Sequence, residues 1–203
     1  MSGRAEINAT LARMRKLAPA GYFIGMHIRF AAPLMQFQTY PKGWSDHYSA
    51  NAYALRDPTI AWGFSTTGAT RWTTMPIPDP FGIMKDAAAF GLPYGITVSC
   101  GPIKSRTISS FAHTAREFTD DEIETISAHV RRLHDITEPP ESLTKAQQEA
   151  LRCIAEGDRH AAAAAKLGIT ESAFKARLIS ARERLMAKTT AEALQRAKEY
   201  RLL

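Results

Sequence analysis

The chain opens with apolar residues at helical spacing. Four of them recur every three or four positions, with charged residues between them: Ile7, Leu11, Met14 and Leu17. This period places all four on one face of a helix, so the spacing predicts an amphipathic helix over residues 4–17. Pro19 and Gly21 follow directly and are expected to end it.

Four segments have the aromatic and β-branched composition that is typical of strands: 22–30, 34–40, 91–100 and 106–114. The first two predict strands joined by a turn around Ala32 and Pro33. The last two predict a hairpin, with Gly101 and Pro102 in or near its turn.

Helical segments alternate with these strands. They are predicted over four ranges: 44–55, 59–64, 81–90 and 120–133. The first should stop before Pro58, because proline disfavours helix at the residue before it, and Thr119 is a suitable N-cap for the last. A Thr/Gly loop should follow the second helix, and 76–80 reads as loop. The order predicts an α+β fold, an antiparallel sheet flanked by helices in an α/β/α sandwich.

The C-terminal third lacks strand-like segments. The pair Pro139-Pro140 resists both helix and strand, so it predicts a semi-rigid linker at 138–142 between domains 1–137 and 143–203. Beyond it we predict a four-helix all-α domain. Thr144, Thr170 and Thr190 are the expected N-caps of its first, third and fourth helices. A Leu-Gly-Ile-Thr turn at 167–170 between two short helices is a helix-turn-helix signal.

Composition narrows the class of protein. The 203 residues carry a net charge of +6, and 141–203 holds 12 Lys or Arg against 8 Asp or Glu, so a polyanion is expected to bind there. No apolar run approaches the ~20 residues of a membrane span, and the N-terminus lacks the apolar core of a signal peptide. Cys100 and Cys153 lie in different predicted domains, which argues against a structural disulfide. We therefore expect a cytoplasmic protein without a membrane partner.

The stretch from Tyr40 to Trp72 carries the candidate chemistry. Tyr40, Trp44 and Tyr48 are four residues apart, and Asp57 and Trp72 follow. Aromatic walls around one buried carboxylate suit a small ligand that is apolar at one end and amide-like at the other. A plain aromatic core is the other interpretation of the same spacing.

The same residues carry a resemblance to a known family. The run resembles the autoinducer-binding domain of LuxR-type quorum-sensing regulators, in order and spacing, at Tyr40, Pro41, Trp44, Tyr48, Asp57, Pro58 and Trp72. The C-terminal segment resembles the GerE-type helix-turn-helix of the same family, with matches that include Leu143, Thr144, Glu149, Leu151, Gly157, Leu167, Gly168, Lys175, Leu178 and Leu185. Together the two resemblances cover nearly the whole chain.

The resemblance implies an N-acyl-homoserine lactone as ligand and gives each residue a role. Trp44 would donate to the lactone carbonyl, and Asp57 would accept the amide N–H. Tyr40 would donate to the acyl carbonyl together with Ser110, although Ser109 remains possible because the alignment needs a gap there. Tyr48 and Trp72 would form the walls of the site. Thr59 and Thr97 are weaker candidates for its lining. No cofactor is implied.

The resemblance also implies a homodimer that binds double-stranded palindromic DNA through a recognition helix over 171–185. The candidate DNA-contacting residues are Glu171, Ser172, Lys175, Arg177 and Arg182; a solvated helix face is the alternative interpretation. The chain departs from the family at three places. Residues 173–177 read Ala-Phe-Lys-Ala-Arg instead of Thr-Val-Lys-x-His, 161–165 are all alanine, and Gln147 replaces a common acid. We expect a domain that is either thinly packed or packed around Phe174.

Enzyme motifs are missing from the sequence. The six histidines form no HxH or HExxH metal pattern, and the chain has no Gly-x-Ser-x-Gly elbow or P-loop. A lactone-hydrolysing enzyme is therefore disfavoured, and no catalytic or metal site is predicted. Two functions remain: a ligand-responsive transcription regulator, or a module that sequesters signal or partners without reading DNA.

Overall fold

The computed structural model describes residues 3–28, 32–138, 140 and 142–203. By spatial proximity the chain divides into two compact units, Met1–Glu138 and Pro139–Leu203. Two residues of the predicted linker, Pro139 and Glu141, lie outside the described residues, as do the last two of the first predicted strand, Arg29 and Phe30. Across the described ranges, no helix combines the length and the hydropathy needed to cross a membrane.

Within residues 3–28 and 32–138, the first unit is built on a five-stranded antiparallel sheet. The strands are β1 Gly21–Ile28, β2 Met35–Gln38, β3 Gly68–Arg71, β4 Tyr94–Cys100 and β5 Arg106–His113. Their order in the sheet is β2-β1-β5-β4-β3. The helices are α1 Gly3–Leu17, α2 Lys42–Ala50, α3 Pro58–Ser65, α4 Ile83–Ala89 and α5 Asp120–Ile136. The α+β class predicted from the sequence is confirmed.

Helices pack on both faces of this sheet. On one face, α1 and α5 cover an apolar core that includes Met14, Ile24, Ile96, Phe111 and Leu133. On the other face, α2 and α4 contribute Trp44, Ile83 and Ala87, which cluster with Ala112 of β5. Because side chains alternate along a strand, neighbours such as Phe111 and Ala112 belong to opposite faces.

Helix α2 is shorter than predicted. The sequence predicted helix over 44–55, whereas α2 ends at Ala50 and Tyr53–Leu55 forms a separate 3₁₀ turn. Between them, Ala52 adopts a left-handed conformation with φ of 50°. The side chain and the backbone N–H of Asn51 both donate to the carbonyl of His47, at 2.9 and 3.1 Å, so Asn51 is the C-cap of the helix.

A strand was missed in the predicted Thr/Gly loop. Residues Gly68–Arg71 form β3, which pairs with β4 from Gly68↔Ser99 to Arg71↔Ile96. Arg71 also donates to the carbonyl of Phe118 at 2.9 Å and pairs with Asp120 at 2.7 Å. Long-range pairing therefore holds this segment as a strand, although its local sequence has little strand character.

The second unit contains four helices within residues 142–203: α6 Lys145–Ala155, α7 His160–Lys166, α8 Glu171–Arg184 and α9 Thr190–Glu199. Thr144 forms a capping box with Gln147, and Thr170 caps α8, as expected for both threonines. The predicted cap Thr190 is wrong, because Thr189 accepts the Glu192 N–H and Thr190 is already helical. Phe174 is fully buried, so the domain packs around this ring.

Candidate functional site

Helix α2 carries the first aromatic residues of the site. Trp44 is buried and meets Tyr48, one turn later, edge to face with ring centroids 5.5 Å apart. Residues four apart share a helix face, which is why both rings point toward the sheet. Tyr40 precedes the helix, and its hydroxyl donates to the backbone carbonyl of Ser110 at 3.0 Å.

Asp57 is held at the start of α3. It is the N-cap residue, and its Oδ1 accepts both the backbone N–H and the hydroxyl of Thr59 at 2.7 Å. Its Oδ2 accepts the Tyr48 hydroxyl at 2.7 Å. Pro58 occupies the first helical position, where its missing N–H costs nothing. The sequence Asp-Pro-Thr therefore builds a rigid carboxylate at a helix N-terminus.

Burial raises the pKa of Asp57, while the hydrogen bonds from Thr59 and Tyr48 act in the opposite direction. Burial and the nearby Asp57 carboxylate raise the pKa of Tyr48 as well, so the phenol stays protonated and donates. An ionised carboxylate oxygen can accept two hydrogen bonds. Oδ2 therefore retains one accepting position for a ligand donor.

Two neighbouring strands form the floor of the site. Trp72 follows β3, and its indole N–H donates to Thr97 Oγ1 at 3.1 Å. Thr97 lies opposite Ser110 in the β4–β5 ladder, and their hydroxyl oxygens are 3.2 Å apart. A Cβ on Gly95 would lie 2.4–2.6 Å from the Trp72 ring, so glycine at this position lets the indole lie against the strand.

Strand alternation separates the two candidate serines. Ser110 lies on the face with Thr97 and Ala112, whereas Ser109 is fully buried and donates to the Val98 carbonyl at 3.2 Å. The geometry therefore favours Ser110 over Ser109 as a ligand contact.

Trp44 differs from the other polar groups of the site. Tyr40, Tyr48, Asp57 and Trp72 all have hydrogen-bond partners. Among the residues that the structure describes, none accepts a hydrogen bond from the indole N–H of Trp44. Since an indole can only donate, a ligand acceptor would satisfy it.

A neighbouring polar cluster was not anticipated from the sequence. Asp86 of α4 accepts the Tyr53 hydroxyl at 2.6 Å and lies 3.2 Å from His47 Nε2. Tyr53 and Phe90 in turn pack against Trp44, with centroids 6.2 and 5.8 Å away. These residues brace the outer side of the aromatic wall. They are far apart in sequence, and no local pattern connects them.

The candidate DNA-contacting residues lie on α8 of the second unit. Ser172 and Lys175 are exposed, and the Lys175 ammonium pairs with Glu171 at 2.6 Å. Arg177 pairs with Glu149 of α6 at 3.3 Å. The Nε of Arg182 is buried and has no hydrogen-bond partner in the described part of the chain. These cations thus differ in how readily they could reach a phosphate.

Among the described residues, no group of three or more His, Cys, Asp or Glu side chains could hold a metal ion.

Comparison with known proteins identifies the family. The autoinducer binding domain family matches residues 8–136, more than half of the chain. This chain belongs to the LuxR-type family of autoinducer-binding regulators. A curated relative, the transcriptional activator protein SolR of Ralstonia nicotianae, is 30% identical over 136 residues, which are 60% of this chain and 58% of SolR. The chain therefore aligns with less than two thirds of this relative.

Solved structures share the fold of this family member. Escherichia coli SdiA aligns with a TM-score of 0.52 and 22% identity, over 98% of this chain and 91% of SdiA. The N-acylhomoserine lactone dependent LuxR-family factor CepR2 of Burkholderia cenocepacia aligns with a TM-score of 0.51 and 20% identity, over 67% of this chain and 82% of CepR2. At these identities the likeness concerns the fold alone.

Proposed function

We propose that this chain is a quorum-sensing transcription regulator that binds an N-acyl-homoserine lactone in residues 1–137. As a homodimer, it would bind palindromic promoter DNA through residues 143–203. One observation carries the ligand assignment. The side chain of Trp44 is buried, and its indole N–H has no acceptor among the described residues. Its ring packs on Tyr48, which donates to the buried Asp57 carboxylate, and Asp57 Oδ2 has an accepting position left.

The polar groups match the head of such a ligand. The Trp44 N–H would donate to the lactone carbonyl, and Asp57 Oδ2 would accept the amide N–H. Tyr40 and Ser110 would donate to the acyl carbonyl. Tyr48 and Trp72 would wall the site, and Thr59 would hold the Asp57 carboxylate in place. Each such contact in a buried site contributes on the order of 1–3 kcal/mol when its loss leaves a partner unsatisfied.

Relatives support an acylated ligand. CepR2 is described as N-acylhomoserine lactone dependent, and SdiA has been solved in complex with octanoyl-rac-glycerol. Both molecules join an apolar chain to a carbonyl and a polar head. We therefore propose a ligand of this general form, with the lactone amide selected by Asp57.

Helix α8 is proposed as the DNA-reading element. Glu171, Ser172 and Lys175 lie in its first turns, and Arg177 and Arg182 follow. Lysine and arginine can contact phosphates, and arginine can also bind a guanine edge with two hydrogen bonds. A dimer would present two such helices to half-sites about one helical turn apart.

Two ion pairs favour a second candidate function. Lys175 pairs with Glu171 and Arg177 with Glu149, so two candidate phosphate contacts are already engaged by carboxylates. The chain would then sequester signal or partners without reading DNA. The alanine helix α7 is consistent with this alternative because it offers little side-chain surface.

The ligand assignment is tested by the melting temperature of the full chain with N-acyl-L-homoserine lactones of fatty, 3-oxo and aromatic acyl groups. We expect one class to raise the melting temperature, because a ligand that binds only the folded state stabilises it. Ser110→Ala should reduce the rise, whereas Ser109→Ala, on the opposite face, should leave it intact. No rise with any lactone would contradict the assignment.

DNA binding is tested by selection from a random duplex library with the ligand-bound chain. Enrichment of a palindrome, with affinity that falls as salt rises, would separate the regulator from the sequestering module. Lys175→Ala should reduce the salt dependence by about one phosphate contact. Lys198→Ala, which removes an exposed cation from α9, serves as the matched control.

A further inference from the structure

We propose that Thr97 is a positioning residue that fixes the Ser110 hydroxyl as a hydrogen-bond donor toward the acyl carbonyl of the ligand. The inference rests on the proposed ligand function and adds to it the donor–acceptor direction of the hydrogen bonds in the site. Its basis is a chain of three polar groups on the floor of the site: the Trp72 indole, the Thr97 hydroxyl and the Ser110 hydroxyl.

The first link has a fixed direction. An indole N–H can donate but cannot accept, so Trp72 Nε1 donates to Thr97 Oγ1 over 3.1 Å. The Trp72 ring cannot turn freely, because it lies where a Cβ on residue 95 would be and only glycine leaves that space open. One accepting position of Thr97 Oγ1 is therefore occupied.

The second link follows from burial. Thr97 is fully buried, so its own hydroxyl hydrogen needs an acceptor inside the protein. Within the described ranges, that acceptor is Ser110 Oγ at 3.2 Å. If Ser110 donated to Thr97 instead, the Thr97 hydrogen would be left buried and unsatisfied, which is costly. Thr97 therefore donates to Ser110.

The consequence concerns Ser110. Its oxygen accepts from Thr97, so its hydrogen is free to turn to a different partner. Donation from Trp72 polarises the Thr97 hydroxyl, and hydrogen bonds in such chains strengthen one another. Ser110 thus offers a donor, and the ligand atom beside it is a carbonyl oxygen. The Tyr40 hydroxyl now donates to the Ser110 backbone carbonyl at 3.0 Å, so it would have to exchange that bond to donate to the same ligand carbonyl.

The test measures the ligand carbonyl directly. The 203-residue chain is saturated with N-octanoyl-L-homoserine lactone labelled with ¹³C at the acyl carbonyl, and the carbonyl stretch is recorded by isotope-edited infrared spectroscopy. Each hydrogen bond lowers this frequency. We expect Ser110→Ala and Thr97→Val to raise it and to weaken binding roughly tenfold, the effect of one lost hydrogen bond. Thr97→Ser keeps the hydroxyl and should restore the wild-type frequency.

Coupling and controls separate positioning from general damage. In the Ser110→Ala background, Thr97→Val should raise the frequency no further, because the two residues act as one unit. Thr107→Val removes another fully buried hydroxyl, on the opposite face, and should leave the frequency unchanged. If Thr97→Val does not fold, Thr97→Ala takes its place.

Failure has two distinguishable forms. If the wild-type protein shows no saturable binding of this lactone or of any other lactone of the panel, the proposed function fails and the inference with it. If the lactone binds but Thr97→Val leaves the carbonyl frequency at the wild-type value, the inference alone is overturned, and Thr97 is only a packing residue.

Discussion

The two faces of the sheet use the same strands for different purposes. The face under α1 and α5 is lined by fully buried apolar side chains such as Ile24, Ile96 and Phe111. The face under α2, α3 and α4 buries a carboxylate and two hydroxyls, on Asp57, Thr59 and Thr97. Burying polar groups costs free energy unless they are paired. The two hydroxyls are paired, but burial of the Asp57 carboxylate disfavours its charge and raises its pKa. The second face therefore carries a cost at this carboxylate, as expected of a binding site.

The comparison predicts its largest effect on the apolar face. Phe111→Ala should lower the free energy of unfolding by about 3–5 kcal/mol, because it leaves a cavity in a fully packed core. Ile103→Ala, at a side chain that is 62% exposed, should change it by less than about 0.5 kcal/mol. Urea denaturation of both variants provides the measurement, and similar values for the two would contradict the division into core and surface.

On the face that carries the site, both stability and ligand binding should depend on the space left for the Trp72 ring. Gly95→Ala would place a Cβ 2.4 Å from the Trp72 ring, so the indole must move, and overpacking of this kind costs about 1–3 kcal/mol. Its displacement should also abolish the lactone-induced rise in melting temperature.

Gly43→Ala is the matched control for this change. Its Cβ would meet the Phe90 ring at an ordinary 3.5 Å, and alanine favours helix α2 by about 0.5–1 kcal/mol. Loss of the ligand response in both variants would show that the Trp72 position is not the cause.

The charge at Asp57 should cost stability in the ligand-free protein. Burial raises its folded pKa above 3.8, so the folded state binds more protons than the unfolded state, and stability falls as pH rises from 3.8 through the folded pKa. Asp57→Asn removes this dependence. Melting temperatures measured without ligand between about pH 4 and pH 7 should favour the variant increasingly as pH rises. With lactone present the order should reverse.

Sequence patterns predicted the elements better than their contacts. Helices α1 and α5 followed from apolar spacing and a Thr cap, and the hairpin β4–β5 from composition. The strand β3 was missed because its Gly-Ala-Thr-Arg sequence has little strand character and gains its structure by pairing with β4. The end of α2 was also missed, since apolar spacing reveals neither the C-cap at Asn51 nor the left-handed conformation of Ala52.

The candidate site shows the same limit. The resemblance in the sequence singles out Tyr40, Trp44 and Asp57, and Ser110 with Ser109 as the alternative. The hydrogen bond between Tyr48 and Asp57 and the link from Thr97 to Ser110 depend on helix orientation and strand register, neither of which spacing determines. Asp86 contacts Tyr53 and His47 from more than 30 residues away, which only the tertiary fold brings about.

The smallest predicted effect returns to the apolar face, where two histidines are buried at one end. His27 and His134 have ring centroids 4.4 Å apart, and hydroxyls of Ser105, Thr107 and Thr137 bond to their ring nitrogens. Burial lowers the pKa of His134 below 6.5, despite the opposing charges of Asp135 and Glu138. The unfolded chain therefore binds more protons in the window below 6.5, so this contribution to stability is present above 6.5 and is lost as pH falls through that window.

A pH series tests this contribution of His134. The melting temperature of the wild-type protein should fall more steeply below about pH 6.5 than that of His134→Gln, which cannot take up the proton. His160→Gln is the control, because this histidine is exposed on α7 of the second unit. Parallel curves for the wild type and His134→Gln would show that the stacked pair does not titrate in this range. A difference seen only with His134→Gln would mean that a buried histidine makes the stability of the apolar face depend on the uptake of one proton. The buried carboxylate of Asp57 has a corresponding effect on the opposite face.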